Sequence, residues 1–134
     1  MTIWKSLLND SFFRKKGSNM GDNAILIKKG HEKKTVERPD KLYRLMIKSQ
    51  KMEGIIAELD SFAESKWFKH DGEEMHLVLQ GEMEYLVGED SYRLSEGDIL
   101  WHKSELKHKA KNLGEEKLIY ITIGTPPTFM FDAL

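Results

Sequence analysis

The sequence predicts an all-β domain, a small antiparallel barrel preceded by a short helical segment, and three observations predict it. From Ala24 onward the apolar residues come in short runs rich in Ile, Leu, Val and Tyr, the pattern of half-buried strands. Turn residues separate these runs at short, regular intervals with no long helical pattern between them, so the strands must cover one another and hide their own edges. At 134 residues the chain suits one domain with a core of its own.

The first element is helical. Ile3, Trp4, Leu7, Leu8 and Phe12 recur at offsets of three and four, which gives one apolar face to a short helix. The stretch Arg14-Lys15-Lys16-Gly17-Ser18-Asn19 breaks that pattern, so residues 1–22 are expected to be helix and linker and residues 23–134 the barrel domain. Predicted strands then follow at Ala24–Ile27, Tyr43–Ile47, Gly54–Leu59 and Met75–Leu79, and again at Glu84–Val87, Ser91–Leu94, Asp98–Trp101 and Leu118–Ile123. Hairpin turns are expected at Gln80-Gly81-Glu82 and Gly88-Glu89-Asp90, where Gly or Asp accepts the positive φ of a tight turn. Pro126-Pro127 cannot continue a central strand, and the apolar tail through Phe131 is expected to fold over the barrel or meet a second subunit.

Composition narrows the function. Apolar residues make up 40% of the chain, charged residues 32%, and the net charge is -1, which leaves no cationic field to draw it onto phosphate backbones or anionic lipid. Direct DNA binding is therefore not expected. The run from Lys28 to Lys34 is interrupted by Glu32 and reads as a solvated turn with His31 exposed. With no cysteine, disulfides, thiolate nucleophiles and Cys-ligated zinc are excluded. No apolar run approaches the roughly 20 residues of a membrane-spanning helix. The opening Met1-Thr2-Ile3-Trp4-Lys5 lacks a signal-peptide core, and a cytoplasmic location is expected.

Chemistry concentrates in the histidines. His70 and Glu74 stand four apart around a strand entry, and His108 follows the Asp98 strand. Two imidazoles and a carboxylate are the donor set of open-coordination sites for Fe(II) and related metals, although spacing leaves their convergence open. The alternative is a metal-free polar cluster held by its own hydrogen bonds. His76 shares strand parity with Glu74, so it is expected inside, as a wall histidine or as a substitute ligand. His102 sits at a strand end with its direction open. Phe68, Trp101 and Tyr120 are read as core or pocket-wall aromatics.

The segment from His70 to Asn112 resembles the two motifs of the cupin superfamily. His70, Glu74 and Gly81 stand in the register of the first motif; Gly97, His108 and Asn112 match the second, whose Pro and second Gly are replaced by Lys103 and Glu105. The first motif usually opens His-x-His, and this chain has Phe68-Lys69-His70 instead. What remains resembles the three-ligand arrangement of the iron-dependent epoxidase branch. His70-Asp71-Gly72-Glu73-Glu74, Val78-Leu79-Gln80-Gly81-Glu82 and Thr125-Pro126-Pro127-Thr128-Phe129 further resemble the effector domains of helix-turn-helix/cupin transcriptional regulators. Only about twenty residues precede the barrel here, against the roughly fifty that a helical DNA-binding domain needs for its own core.

The resemblance implies a jelly-roll barrel, a homodimer, and a divalent metal (Fe, Mn, Ni, Zn or Co) held by His70, Glu74 and His108. A small-molecule ligand would lie in a pocket beside Phe68, His76, Trp101, His102 and Tyr120. Two functions follow as expectations: a ligand-sensing or regulatory module, or a mononuclear metal enzyme of oxygenase, epoxidase or isomerase type.

Overall fold

The computed structural model describes residues 23–127; the helix and linker expected over residues 1–22, and the tail from Thr128, lie outside them. Nine strands occupy the described chain: β1 (Lys34–Arg38), β2 (Lys41–Lys48), β3 (Glu53–Leu59), β4 (Glu73–Gln80), β5 (Met83–Val87), β6 (Asp90–Leu94), β7 (Ile99–Lys103), β8 (His108–Asn112) and β9 (Leu118–Thr125). They form an antiparallel six-stranded sheet, order β1-β2-β3-β9-β4-β7, and a three-stranded sheet, order β6-β5-β8. No helix occurs among the described residues. The all-β antiparallel class read from the sequence is the one observed.

Alternation decides what each strand buries. On β9, Leu118, Tyr120 and Thr122 are buried while Ile119, Ile121 and Ile123 lie on the other face, as a strand with one face on a core requires. The core joins Leu45, Ile55 and Leu59 of the large sheet to Met83, Tyr85 and Ala110 of the small one. Each large apolar side chain buried there contributes about 1.5–3 kcal/mol. The β5–β6 hairpin has a two-residue loop, Gly88-Glu89, with Gly88 at φ 60°, the backbone that a tight hairpin needs at its first loop position.

The expected strand at Ala24–Ile27 is a correction: that segment carries no strand, and Leu26 is 80% exposed. The edge position is taken by β1, whose Lys34, Glu37 and Arg38 suit a solvent-facing edge. β8, His-Lys-Ala-Lys-Asn, is the other strand beyond those predicted. Its inward residues are His108, Ala110 and Asn112, so no run of large apolar residues marks it. Asn112 ties the barrel end together, its Nδ2 donating to the carbonyls of Leu59, Asp60 and Glu116.

Candidate metal centre

The inward faces of β4, β7 and β9 bring polar residues into register. Glu74 lies opposite His102 of β7, and His76 lies opposite Thr122 of β9. His108 opens β8 on the facing sheet. The segment leading into β4 is pinned to both sheets: Phe68 and His108 exchange two backbone hydrogen bonds of 2.8 Å. His70 N–H donates to the Ser104 carbonyl at 3.0 Å, and Ser104 N–H to that of Gly72 at 2.8 Å. Gly72 has φ 98°, and a Cβ there would fall 1.7 Å from the Thr125 carbonyl oxygen. Only glycine passes, and this crossing delivers His70 to Glu74.

Glu74, 4% exposed, is the hub. Its Oε2 lies 2.5 Å from His70 Nε2 and 3.5 Å from His108 Nε2. Its Oε1 lies 3.3 Å from His76 Nε2 and 3.6 Å from His102 Nε2. Backbone carbonyls set the tautomers, because a carbonyl only accepts. His70 Nδ1 donates to Asp71 O (3.0 Å), His102 Nδ1 to Lys103 O (2.9 Å) and His108 Nδ1 to Leu106 O (2.8 Å). A ring that keeps its proton on Nδ1 has its lone pair on Nε2, on the Glu74 side, once Nε2 is deprotonated; in the metal-free protein His70 also carries a proton on Nε2 and donates it to Glu74 Oε2. The hydrogen bond at Nδ1 is the one that metal-ligating histidines use to fix their orientation.

The Nε2 atoms differ in what they meet. His108 Nε2 is buried without a hydrogen-bond partner. His76 is fully paired: its Nδ1 lies 2.8 Å from Thr122 Oγ1 and its Nε2 2.9 Å from His102 Nε2. With the lone pair on His102 Nε2, His76 Nε2 donates there and the Thr122 hydroxyl donates to Nδ1.

Charge follows contact. Burial raises the Glu74 pKa, but the facing imidazoles of His108, His70 and His76 hold it well below the usual carboxylate range, so Glu74 is an anion. Burial lowers the pKa of His70, yet the Glu74 hydrogen bond, the Asp71 carbonyl and the two carboxylate charges outweigh it and raise the value overall. Burial lowers His76 against the pull of Glu74 and brings His102 down to about 4. A charged carboxylate this deep costs several kcal/mol unless a cation compensates it.

The donor atoms fall into two groups that share only Glu74: His70-Glu74-His108 and Glu74-His76-His102, each with its atoms within 4.8 Å of one another. The first fits a divalent ion, having two imidazole donors of fixed tautomer, an ionised carboxylate and one orphaned lone pair. It also meets a cavity of about 40 Å³ lined by Phe68, His70, Glu74, His76 and Tyr120.

Tyr43, Tyr85 and Thr122 line this cavity too, beyond the residues expected from the sequence. Strand parity is the signal that finds them, Thr122 sharing a face with Tyr120 and Tyr43 with Leu45. His102 is buried beside His76, its ring 5.0 Å away. Trp101 is a correction: it is 53% exposed on the outer face of β7, its Nε1 donating to Glu73 at 2.6 Å. Its neighbour His102 takes the inward direction, and alternation sends Trp101 out.

Two antiparallel sheets enclose an imidazole–carboxylate cluster that could hold a metal ion. A cupin-domain family model matches residues 56–124, and the chain belongs to the cupin family. An uncharacterized protein of Archaeoglobus fulgidus is 39% identical over 64 residues, 48% of this chain and 60% of that protein. The match thus spans less than two thirds of the relative's length. Among solved structures, KdgF from a Halomonas species is similar at TM-score 0.69 and 18% identity, covering 82% of this chain and 100% of that one. An RmlC-like cupin from Shewanella frigidimarina gives TM-score 0.69 at 16% identity, covering 81% and 96%. An HTH_3-family transcriptional regulator from Vibrio cholerae gives 0.60 at 18%, covering 66% and 52%. At such identities these structures show the fold.

Proposed function

We propose that the chain is a metal-dependent small-molecule-binding cupin serving as a ligand-sensing module, in which His70, Glu74 and His108 hold one divalent ion of the Fe, Mn, Ni, Zn or Co group. The observation that carries this is the buried, unpartnered Nε2 of His108 facing an ionised Glu74. Left without a partner, such an atom costs about 1–3 kcal/mol; an ion removes that cost and balances the carboxylate. When bound, the ion supplies Lewis acidity and open coordination positions for an oxygen-bearing ligand. The chain supplies the rest. Backbone carbonyls of Asp71 and Leu106 hold the two ligand rings, and Phe68, Tyr85 and Tyr120 line the space beside them.

A mononuclear metal enzyme of oxygenase, epoxidase or isomerase type is the second reading. It is favoured by His76, whose Nε2–H lies 3.3 Å from the same carboxylate, close enough to serve proton transfer in the cavity. A homodimer and a cytoplasmic location are part of the proposal. The dimer is supported by the outer face of β4 and β7, where Leu77 pairs with Ile99 and Met75 with Trp101, leaving Ile99 59% exposed in the kind of apolar patch that marks an interface. Ile99→Lys is expected to shift sedimentation from dimer to monomer.

Elemental analysis of the purified protein tests the main reading. About one ion per chain is expected, the stoichiometry of a single three-ligand site, with most of it lost in His70→Ala and His108→Ala. Unchanged metal in both variants removes the proposal. A ligand recovered unaltered after incubation supports the sensor, and its conversion supports the enzyme.

A further inference from the structure

A charged cavity lies beside the candidate metal pocket, and we read it as the mouth of that pocket. The two share Tyr43 and Phe68 as walls. The outer cavity is lined by Arg38 at the end of β1, Asp40 and Lys41 at the turn into β2, and Lys66 from the segment before β4. Lys66 Nζ stands 6.0 Å from the centre of the Phe68 ring that also walls the inner cavity. Lys41 Nζ donates to Asp40 Oδ1 at 2.8 Å; with one carboxylate and three cations among its lining residues, the mouth is net positive. The inner cavity is different. No Lys or Arg is among its described lining residues, whose polar groups are hydroxyls, imidazoles and Glu74.

A ligand reaching from one cavity to the other therefore meets an ion and donors of neutral charge at its inner end and cations at its outer end. We infer that the pocket takes a small organic acid, its oxygen-bearing head at the His70-Glu74-His108 centre and a carboxylate at the mouth, beside Lys41, Lys66 and Arg38. A guanidinium and two ammonium groups suit a carboxylate through charge-assisted hydrogen bonds. A cation would be repelled there, and a neutral molecule of equal size would gain nothing from the mouth. The inference rests on the metal reading for its inner end only.

A matched pair of probes separates the two ends. 2-Hydroxyglutarate and 2-hydroxypentanoate carry the same hydroxy-acid head and differ only in a terminal carboxylate against a terminal methyl. Calorimetric titration of the nickel-loaded full chain at low salt is expected to show the diacid binding roughly tenfold tighter, the scale of one charge-assisted contact at a solvated rim. The preference shrinks in high salt, because exposed charges are screened, and approaches parity in Lys41→Gln/Lys66→Gln. Lys66 is exposed, so Lys66→Gln alone gives a readout that does not depend on tolerance at Lys41. Equal affinities in the parent protein, or a preference untouched by Lys66→Gln and by the double substitution, overturn the inference. Nickel content measured on the same samples reports on the centre: bound nickel with no preference sinks the mouth and spares the centre. A preference without bound nickel sinks the centre and supports the mouth.

Discussion

Glu74 divides its surroundings into two unlike halves. On its Oε1 side, His76 and His102 complete each other: Thr122 serves one end of the pair, the Lys103 carbonyl serves the other, and the imidazoles join at 2.9 Å. On its Oε2 side, His70 and His108 have their Nδ1 atoms secured by carbonyls just as firmly, but His108 Nε2 is orphaned. The residue types are the same, and the difference lies in completion. A set of buried polar groups whose bonds all close within the protein is part of the scaffold, whereas a set with one lone pair left over is built for something else.

Removing the hub should do most. Glu74→Gln keeps the shape and deletes the charge, so metal binding is expected to fall by about 100-fold or more, at the upper end of what losing a ligand's partner costs and beyond it; competition with a chromogenic chelator reads the affinity. The next contrast separates the halves. His108→Ala is expected to empty the centre, while His76→Ala keeps the metal and lowers the urea-unfolding stability of the metal-free protein by about 2–4 kcal/mol. That cost combines a cavity beside Tyr85, whose ring stacks at 4.1 Å, with lost hydrogen bonds. Metal loss in His76→Ala with retention in His108→Ala would invert the comparison.

Thr122→Val removes the donor to His76 Nδ1 and is expected to cost about 1–2 kcal/mol with metal content unchanged. The smallest effect is a slope. His70 has its pKa raised by Glu74 in the metal-free protein, so the ion must displace a proton held more tightly than usual. Apparent affinity is expected to fall as pH falls, approaching about tenfold per pH unit below that pKa, and to level off above it. A flat profile through the histidine range would take His70 out of the ligand set.

The same contrast explains what the sequence showed. His70, Glu74 and His108 were legible because the motif resemblance joined residues that spacing alone could not, and β2 to β7 and β9 were legible as compact apolar runs. β8 was hidden because its inward side chains are an imidazole, an alanine and an amide, and Ala24–Ile27 misled because an apolar run says nothing of whether a neighbouring strand is there to receive it. For Trp101 the sequence offers only the usual preference of barrel aromatics for core or pocket wall. β7 carries apolar residues on both faces, Ile99 and Trp101 outward and Leu100 inward, so hydrophobic alternation gave no parity and the default chose the wrong side. The closed pairing of His76 with His102 depends on β4–β7 register, which pairs residues 26 apart in the chain.

The most direct test is an anomalous-scattering map from crystals of the protein soaked in a divalent transition metal. A single strong peak within bonding distance of His70 Nε2, His108 Nε2 and Glu74 Oε2 is the predicted result. A peak among Glu74, His76 and His102, or none beside Glu74 at all, would contradict the assignment.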